Sequence, residues 1–235
     1  MRLRFERLRW EYEEFKVQLD EILVPFHEAA ITELQNFHSE KEVEFQEAIR
    51  NAESDEGECQ LQRDYARVEK TRAGERERLT GWLALVYLVS LFHFTLNSLK
   101  SALDSVYPPR GKYKGKSWLE RLTNEYQGRF GIDLKSHHDF PFIRELVLAR
   151  NAVEHNGGKP TRDYLEICRP RFLQKSEKVE FYRLKEEQVI VFSNRDFKES
   201  IQFMDKYVDW VVRELIRVRE GHRPTGPLRG SEFVP

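Results

Sequence analysis

Along much of the chain, apolar residues recur in alternating steps of three and four, the spacing that places them on one face of an α-helix. The N-terminal stripe of this kind predicts a long first helix, with Glu or Arg at most of the intervening positions. Pro25 lies near its end and predicts a kink or a restart, because proline lacks the N–H that a continuing helix needs. The stripe consists of Phe5, Leu8, Tyr12, Phe15, Leu19, Ile22 and Phe26.

The middle of the chain predicts two further helical stretches. The first spans residues 31–49, and an acidic, apolar-poor run at residues 53–58 predicts the solvated connection that follows it. The second runs from residue 61 to about 106. Within it, residues 80–99 carry no formal charge and are long enough to cross a bilayer. Polar side chains crowd the second half of that segment, which favours a central helix covered by other helices over membrane insertion.

Prolines and glycines mark the limits of the next elements. Residues 108–116 contain two prolines and two glycines, so they predict a loop. The helix after this loop is closed by Gly157 and Gly158, because glycine is the usual residue just beyond a helix end. The predicted core face of that helix carries Phe142, Leu146, Ala149 and Val153.

The C-terminal part of the chain predicts a hairpin and a final helix. Two β-like runs, at residues 179–184 and 189–192, flank the polar residues 185–188, which we interpret as the hairpin connection. Ser193 or Asn194 caps the helix that follows, since both side chains accept hydrogen bonds from free N–H groups. Its apolar stripe is Phe197, Ile201, Met204, Val208, Val211, Leu215 and Val218.

These elements together predict a mainly all-α protein. The expected architecture is a helical bundle with long N-terminal helices and a small β-hairpin before the last helix. We divide the chain into an N-terminal helical extension at residues 1–75, a helical domain at 76–220 with its hairpin at about 179–192, and a flexible tail at 221–235.

Composition narrows the classes of function. The 235 residues include 39 Lys and Arg against 40 Asp and Glu, a net charge of -1, so any nucleic acid must bind a local basic patch. The two cysteines, Cys59 and Cys168, are far apart and outside any Cys-x-x-Cys pattern, which argues against a zinc site or a disulfide framework. The charged N-terminus does not resemble a signal peptide, and we expect a soluble cytoplasmic protein.

The residues with the most chemistry lie in the segment 144–158. On an ideal helix Asn151 and His155 are neighbours on the side opposite to the core face. Leu148 and Ala152 lie beside them, so this second face is not purely solvated, which indicates a dimer. The last turn of a helix favours the charged imidazolium, which would help His155 to donate a proton.

Residue chemistry alone favours a structural interpretation of this segment. The side chains of Arg150 and His155 diverge by about 140° on an ideal helix. They converge only if the long arginine stem swings round, if the helix loosens before the glycines, or if two copies of the helix build one site. An ion pair between Arg150 and Glu154, with His155 capping the helix end, explains the same residues without any activity.

The run from Arg150 to Gly157, RNAVEHNG, resembles the signature of the HEPN superfamily. That signature is an arginine, a polar residue, a short spacer and a histidine near a helix end. The approach at Phe130–Leu134 and the long apolar helix before it are similar to the same family, and the resemblance covers residues 79–158 best. It implies a HEPN four-helix bundle that forms a homodimer and cleaves RNA without a metal or cofactor.

The resemblance also implies roles for individual residues. His155 would be the general base or acid for attack by the ribose 2′-hydroxyl, and Arg150 would hold the phosphate. Asn151 would orient His155 or bind substrate, and Asn156 is a second supporting residue. Glu154 falls in the spacer and receives no catalytic role, because an unpaired carboxylate repels phosphate. The resemblance further implies a toxin or antiphage-defence protein, with an antitoxin or companion subunit as partner.

Two other polar stretches are candidates for binding. Arg110, Lys112, Lys114 and Lys116 lie in the 108–116 loop and are our candidate RNA-docking residues, although a lone charged loop is usually just solvated. The run His137-His138-Asp139 suggests a metal. Adjacent side chains on a short segment rarely chelate one ion without distant ligands, so we favour a polar loop and expect no metal.

Two alternatives to a ribonuclease stay open. The first is a non-catalytic HEPN-like module that dimerises or binds a nucleotide, RNA or a partner protein, since a fold does not imply an activity. The second is a helical adaptor whose N-terminal stripe packs on another protein. The adaptor hypothesis predicts four exposed residues in the isolated chain, namely Phe5, Leu8, Tyr12 and Phe15.

Overall fold

The computed structural model describes residues 2–51, 56–109, 111–167, 170–180 and 183–221. The chain is 77% helical, which confirms the mainly all-α prediction, and the described residues include a two-stranded antiparallel sheet before the last helix. The helices are α1 (Arg2–Val17), α2 (Val24–Asn51), α3 (Glu56–Ser101), α4 (Trp118–Phe130), α5 (Phe140–Asn156), α6 (Arg162–Leu165) and α7 (Asn194–Arg219), and the strands are β1 (Leu173–Glu180) and β2 (Arg183–Ile190).

A π-helical segment, Gln18–Leu23, joins α1 to α2 just before the proline that predicted a restart. Burial follows the predicted N-terminal stripe as far as this segment and then departs from it. The predicted core positions Ile22 and Phe26 are exposed, whereas the residues that follow them, Leu23 and His27, are buried. A π-turn contains one more residue than an α-turn, so it advances the buried face by one position. The prediction for Ile22 and Phe26 was therefore wrong.

The N-terminal helix does not present a free apolar face. Leu8 and Phe15 are almost inaccessible to solvent. The Tyr12 hydroxyl, on the same side, donates a 2.9 Å hydrogen bond to Asp205 Oδ1 in α7, and burial together with this bond raises the pKa of Tyr12 above its usual value. The side chain of Phe5 lies outside the described residues. The adaptor hypothesis needed this stripe to be exposed, so its prediction is wrong for Leu8 and Phe15.

The chain forms two compact units, each built from separate segments. Unit 1 combines the described residues of Met1–Ile22, Tyr87–Leu148 and Lys198–Pro235, and unit 2 combines those of Leu23–Val86 and Ala149–Phe197. Helix α3 crosses residues 75 and 76 without a break, and each unit draws on both sides of this point. The division into an N-terminal extension and a HEPN-like domain stays a prediction, and residues 222–235 of the predicted tail lie outside the described residues.

The core of unit 1 is tied together by tyrosines whose hydroxyls bond to backbone carbonyls. Tyr126 in α4 donates to the carbonyl of Leu96 in α3 at 2.7 Å, and Tyr207 in α7 donates to the carbonyl of Leu134 at 2.8 Å. Both rings are fully buried, and burial raises the pKa of each hydroxyl. A buried hydroxyl is costly unless it is bonded, so these contacts specify where α4 and α7 lie relative to α3.

The core of unit 2 depends on a close approach of other segments to α3. Gly81 lacks the side chain that would collide with the Phe192 carbonyl oxygen, which lies 2.1 Å from an ideal Cβ position. The neighbouring Trp82 donates from Nε1 to the Ile190 carbonyl at 2.7 Å. The Trp82 ring also covers Gly158, where an added Cβ would be 2.0 Å from the indole. The end of β2 and the end of α5 therefore both dock on Gly81 and Trp82.

The hairpin differs in position from the prediction. Its strands pair from Leu173 with Ile190 to Glu180 with Arg183, so residues 185–188 lie within β2 and not in the connection. The turn residues that mark tight hairpins, such as Gly, Asn, Asp and Pro, are absent from residues 181–188, so composition could not place the connection. The predicted helix starts and stops are confirmed at Ser193, whose Oγ accepts from Asp196 N, and at Gly157.

The apolar part of α3 meets a length and composition criterion for a membrane span. Residues Asp64–Ser101 are long and apolar enough to cross a bilayer, and 44% of their most apolar stretch is buried inside the protein. The core helix of a soluble protein meets the same criterion, as our interpretation of residues 80–99 assumes. The buried residues of this helix include Leu85, Leu88, Phe92, Leu96 and Leu99.

We expect Gly81→Ala and Gly74→Ala, two identical changes in α3, to affect stability in opposite directions. The new methyl at position 81 would overlap the Phe192 backbone, whereas position 74 has no atom within 4 Å. Gly81→Ala should lower the free energy of unfolding by about 1–3 kcal/mol, the usual cost of overpacking. Gly74→Ala should raise it by up to about 1 kcal/mol, because alanine has the higher helix propensity. Urea unfolding of both variants checks this, and equal effects would contradict the packing.

Candidate functional site

Helix α5 carries the predicted site, and its burial is wider than its predicted core face. Leu146 and Ala149 are buried as predicted, and Phe142 and Val153 are half-buried. Ala152, which we placed on the second face beside Asn151, is also fully buried. Additional buried residues on α5 are Ile143, Glu145 and Val147. The helix is thus enclosed over most of its circumference, and its polar side chains emerge only toward its C-terminal end.

The C-terminal end of α5 is held by the two glycines. Gly157 and Gly158 have φ values of 57° and 79°, in the left-handed region that glycine adopts without strain. The Gly158 N–H donates to the Ala152 carbonyl at 3.1 Å, and its own carbonyl accepts from the Ile190 N–H at 2.8 Å. These bonds end the helix directly after His155 and Asn156. The side chain of His155 is 71% exposed there, so it is accessible to a substrate.

Arg150 is held by its neighbours on the same helix. Its Nη1 donates to Asn151 Oδ1 at 3.2 Å and lies 2.7 Å from Glu154 Oε2. Its Nε is buried and has no hydrogen-bond partner among the described residues. Sequence analysis expected Asn151 to orient His155, but the Asn151 carbonyl oxygen is bonded to Arg150. The guanidinium therefore retains unused hydrogen-bonding capacity although it is already paired with a carboxylate.

Glu154 links the two candidate catalytic residues. The oxygen that pairs with Arg150 also lies 3.9 Å from His155 Nε2. The i,i+4 ion pair of the structural interpretation is thus present. We call these three residues the Arg150–Glu154–His155 cluster. Sequence analysis gave Glu154 no role, and the i,i+4 spacing to Arg150 was the signal that identifies it. Asn156 is exposed beside the cluster, and its carbonyl accepts from the Lys159 N–H at 3.2 Å.

The candidate RNA-docking loop belongs to unit 1, whereas the Arg150–Glu154–His155 cluster belongs to unit 2. Lys112, Lys114 and Lys116 are all exposed, and Arg110 lies outside the described residues. The loop is anchored through its backbone: Asn124 Nδ2 donates to the Lys114 carbonyl, and the Lys116 N–H donates to a Glu120 carboxylate oxygen, both at 2.7 Å. The lysine side chains are therefore presented to solvent from a loop whose backbone is held in place.

A second polar cluster lies just before α5. The side chains of His137, His138 and Asp139 offer ligand atoms within 4.8 Å of one another. His137 and Asp139 are buried, although the sequence predicted a polar loop without a metal. The burial of a histidine and an aspartate side by side was not signalled by the local sequence, because it depends on residues of α7.

Comparison with known proteins gave no match to a family model, to a curated protein or to a solved structure. The resemblance to the HEPN superfamily thus depends on the residues of α5 and their helical context, and it stays a prediction.

We expect the Arg150–Glu154 pair to stabilise the fold measurably. The two side chains are 21% and 25% exposed, which limits screening by water. A double-mutant cycle with Arg150→Ala and Glu154→Ala should give a coupling of about 0.5–1 kcal/mol in urea unfolding. The matched control is the pair Arg162 and Glu166, with the same residues and spacing but exposures of 91% and 62%, where the coupling should be close to zero. Equal couplings would contradict the assigned role of burial.

Proposed function

We propose that this chain is a metal-independent endoribonuclease of the HEPN type, acting as a toxin or in antiphage defence. The observation that carries the proposal is an exposed imidazole and a guanidinium sharing one carboxylate at the end of α5. General acid–base chemistry needs an accessible titratable group, and phosphate binding needs a fixed cation. The HEPN-like residues Arg150 and His155 supply these two groups.

The proposed reaction is attack of a ribose 2′-oxygen on the adjacent phosphorus. The 2′-hydroxyl proton passes to a base, the new O–P bond forms a 2′,3′-cyclic phosphate, and the bond from phosphorus to the 5′-oxygen breaks as that oxygen takes up a proton. His155 acts as the base or as the proton donor. Arg150 binds the phosphate oxygens, because its planar fork stays charged and matches their geometry.

Glu154 sets a condition on this chemistry. Its carboxylate occupies Arg150 at 2.7 Å, in the position that a phosphate oxygen would take. RNA binding therefore requires that the guanidinium exchange this carboxylate for phosphate, or bind phosphate through its remaining donors, which include the unpaired Nε. Two protomers arranged as a homodimer would bring two such clusters to one cleft, and the exposed side chains at the end of α5 are compatible with that arrangement.

The proposal includes its setting. The substrate is RNA, and Lys112, Lys114 and Lys116, with Arg110, dock its backbone. The protein acts in the cytoplasm, away from the membrane, as a homodimer and without a cofactor. An antitoxin or a companion defence subunit is the expected protein partner.

A second function is favoured by the same ion pair. A catalytic arginine that is already neutralised by Glu154 suits a non-catalytic HEPN-like module that binds RNA, a nucleotide or a partner and dimerises. The two functions differ in what happens to bound RNA, which a cleavage assay resolves.

We expect the purified full chain to cleave total RNA in the presence of EDTA. His155→Ala should lower the cleavage rate at least about 100-fold, because it removes the proton-transfer group. Arg150→Ala should lower it by about 100- to 1000-fold, because it removes charge stabilisation at the phosphate. The measurement is the rate of product formation on a denaturing gel, together with sedimentation to determine whether the chain is a dimer.

Arg162→Ala is the matched control, since it removes an arginine of α6 whose side chain is 91% exposed. It should leave the rate unchanged. RNA that is bound by all variants but cut by none would favour the non-catalytic module. Cleavage that is equal in the wild type and His155→Ala would contradict the proposed chemistry.

Glu154→Gln should strengthen RNA binding. The substitution keeps the size of the side chain but removes the negative charge that pairs with Arg150, so the guanidinium becomes available to phosphate. We expect a severalfold lower Kd for a short single-stranded RNA at low salt, with the gain lost in Arg150→Ala/Glu154→Gln. Fluorescence anisotropy measures both. An unchanged Kd in Glu154→Gln would show that Glu154 does not control access to Arg150.

A further inference from the structure

The side chains of His137, His138 and Asp139 are arranged around a common point. His138 Nε2 lies 3.2 Å from Asp139 Oδ1, and His137 Nδ1 lies 3.7 Å from Asp139 Oδ2. Two ligands bound at about 2.1 Å to a tetrahedral ion lie about 3.4 Å apart. The two observed separations fall on either side of that value, so the donors have the spacing of ligands of one ion.

The buried carboxylate of Asp139 is incompletely satisfied. Its Oδ2 is inaccessible to solvent and has no hydrogen-bond partner among the described residues. The atom that faces it, His137 Nδ1, accepts a 3.2 Å hydrogen bond from the Asp139 N–H and so carries no proton in this arrangement. Two electron-pair donors therefore face each other across 3.7 Å. A buried oxygen without a partner is costly, and a cation between these atoms would satisfy both.

His137 is held in place by aromatic rings. Its imidazole is 5.1 Å from the ring of Tyr207 and 4.8 Å from that of Trp210, both on α7, and it stacks on His138 at 4.4 Å. Burial and the neighbouring His138 lower the pKa of His137, so the ring is neutral near pH 7. A neutral, immobilised imidazole is the form that binds metals. The side chain of His138 is 75% exposed and is free to adjust to an ion.

We propose that His137, His138 and Asp139 bind one divalent transition-metal ion, with Zn²⁺ as the preferred occupant and water at the remaining position. Two imidazoles and one carboxylate are a donor set that suits Zn²⁺ and neighbouring metals, whereas Ca²⁺ and Mg²⁺ require more oxygens. His137 exchanges its hydrogen bond from the Asp139 N–H for the metal. The proposed RNA chemistry uses no metal, so this site is separate from that function.

Adjacent ligands on one short segment rarely suffice without distant ones, and this argument led us to expect no metal. The structure adds what the argument lacked, namely burial of two of the three residues and support from α7. The ion would link the segment before α5 to the aromatic residues of α7 through His137, within unit 1. We therefore expect a stabilising site with an open coordination position.

The test is metal titration of the full chain after removal of metal with EDTA and dialysis. Co²⁺ should give visible d–d absorption that Zn²⁺ abolishes, and calorimetry should give one Zn²⁺ per chain. His138→Ala should weaken Zn²⁺ binding by more than about tenfold, because even the loss of an outer-shell partner costs that much. Its exposed side chain makes unfolding an unlikely consequence, and circular dichroism of the apo-protein checks this.

His155→Ala is the matched control, because it also removes one exposed histidine, and its Zn²⁺ affinity should equal that of the wild type. Asp139→Asn should weaken binding as well, and His138→Ala decides the question where the Asp139 variant does not fold. The proposal is overturned if the wild type binds no stoichiometric Zn²⁺, or if His138→Ala binds it as tightly as the wild type. RNA cleavage is not part of this assay, so its outcome is independent of the proposed ribonuclease function.

Discussion

The packing of the Gly158 backbone against the indole of Trp82 is the constraint on which the arrangement of unit 2 depends. An added Cβ at Gly158 would lie 2.0 Å from the indole, and Ile190 bonds to both residues, through its N–H to Gly158 and through its carbonyl to Trp82. Helix α3, the end of α5 and the end of β2 therefore hold one another in place. Because α5 must stop at this contact, His155 occupies the last exposed turn. The position of the candidate site thus follows from a contact between residues far apart in the chain.

The parts of the fold that sequence predicted are those with local causes. The stop of α5 at Gly157 and the start of α7 at Ser193 follow from residues within four positions of the boundary, and both are confirmed. The shift of burial from Ile22 to Leu23 was not predictable from periodicity, since it arises from a π-helical segment. The position of the hairpin was missed because two-stranded pairing tolerates polar residues and the sequence offers no turn signal there.

The candidate sites divide along the same line. The Arg150–Glu154 ion pair was predictable, because i,i+4 spacing on one helix brings the two side chains together whatever surrounds them. The environment of His137 and Asp139 was not, because their burial depends on Tyr207 and other α7 residues about 70 positions later in the chain. A run of polar residues is a loop when solvated and a candidate metal site when buried, and only tertiary packing distinguishes the two.

Charge balance gives Glu154 its importance in any RNA-directed function. The chain carries a net charge of -1, so it has no general attraction for a polyanion and must rely on a few local cations. Arg150 is such a cation, yet it is neutralised by Glu154 at 2.7 Å, and the same carboxylate faces His155. A negative charge beside an imidazole favours its protonated form, whereas a phosphate that displaces Glu154 from Arg150 brings its own negative charge to the cluster. The carboxylate is thus a stand-in for the substrate in the free protein, and a competitor that only a correctly placed phosphate would displace. Any selectivity of this site for RNA over free anions would therefore come from contacts outside the cluster, which strengthen binding enough to complete the exchange.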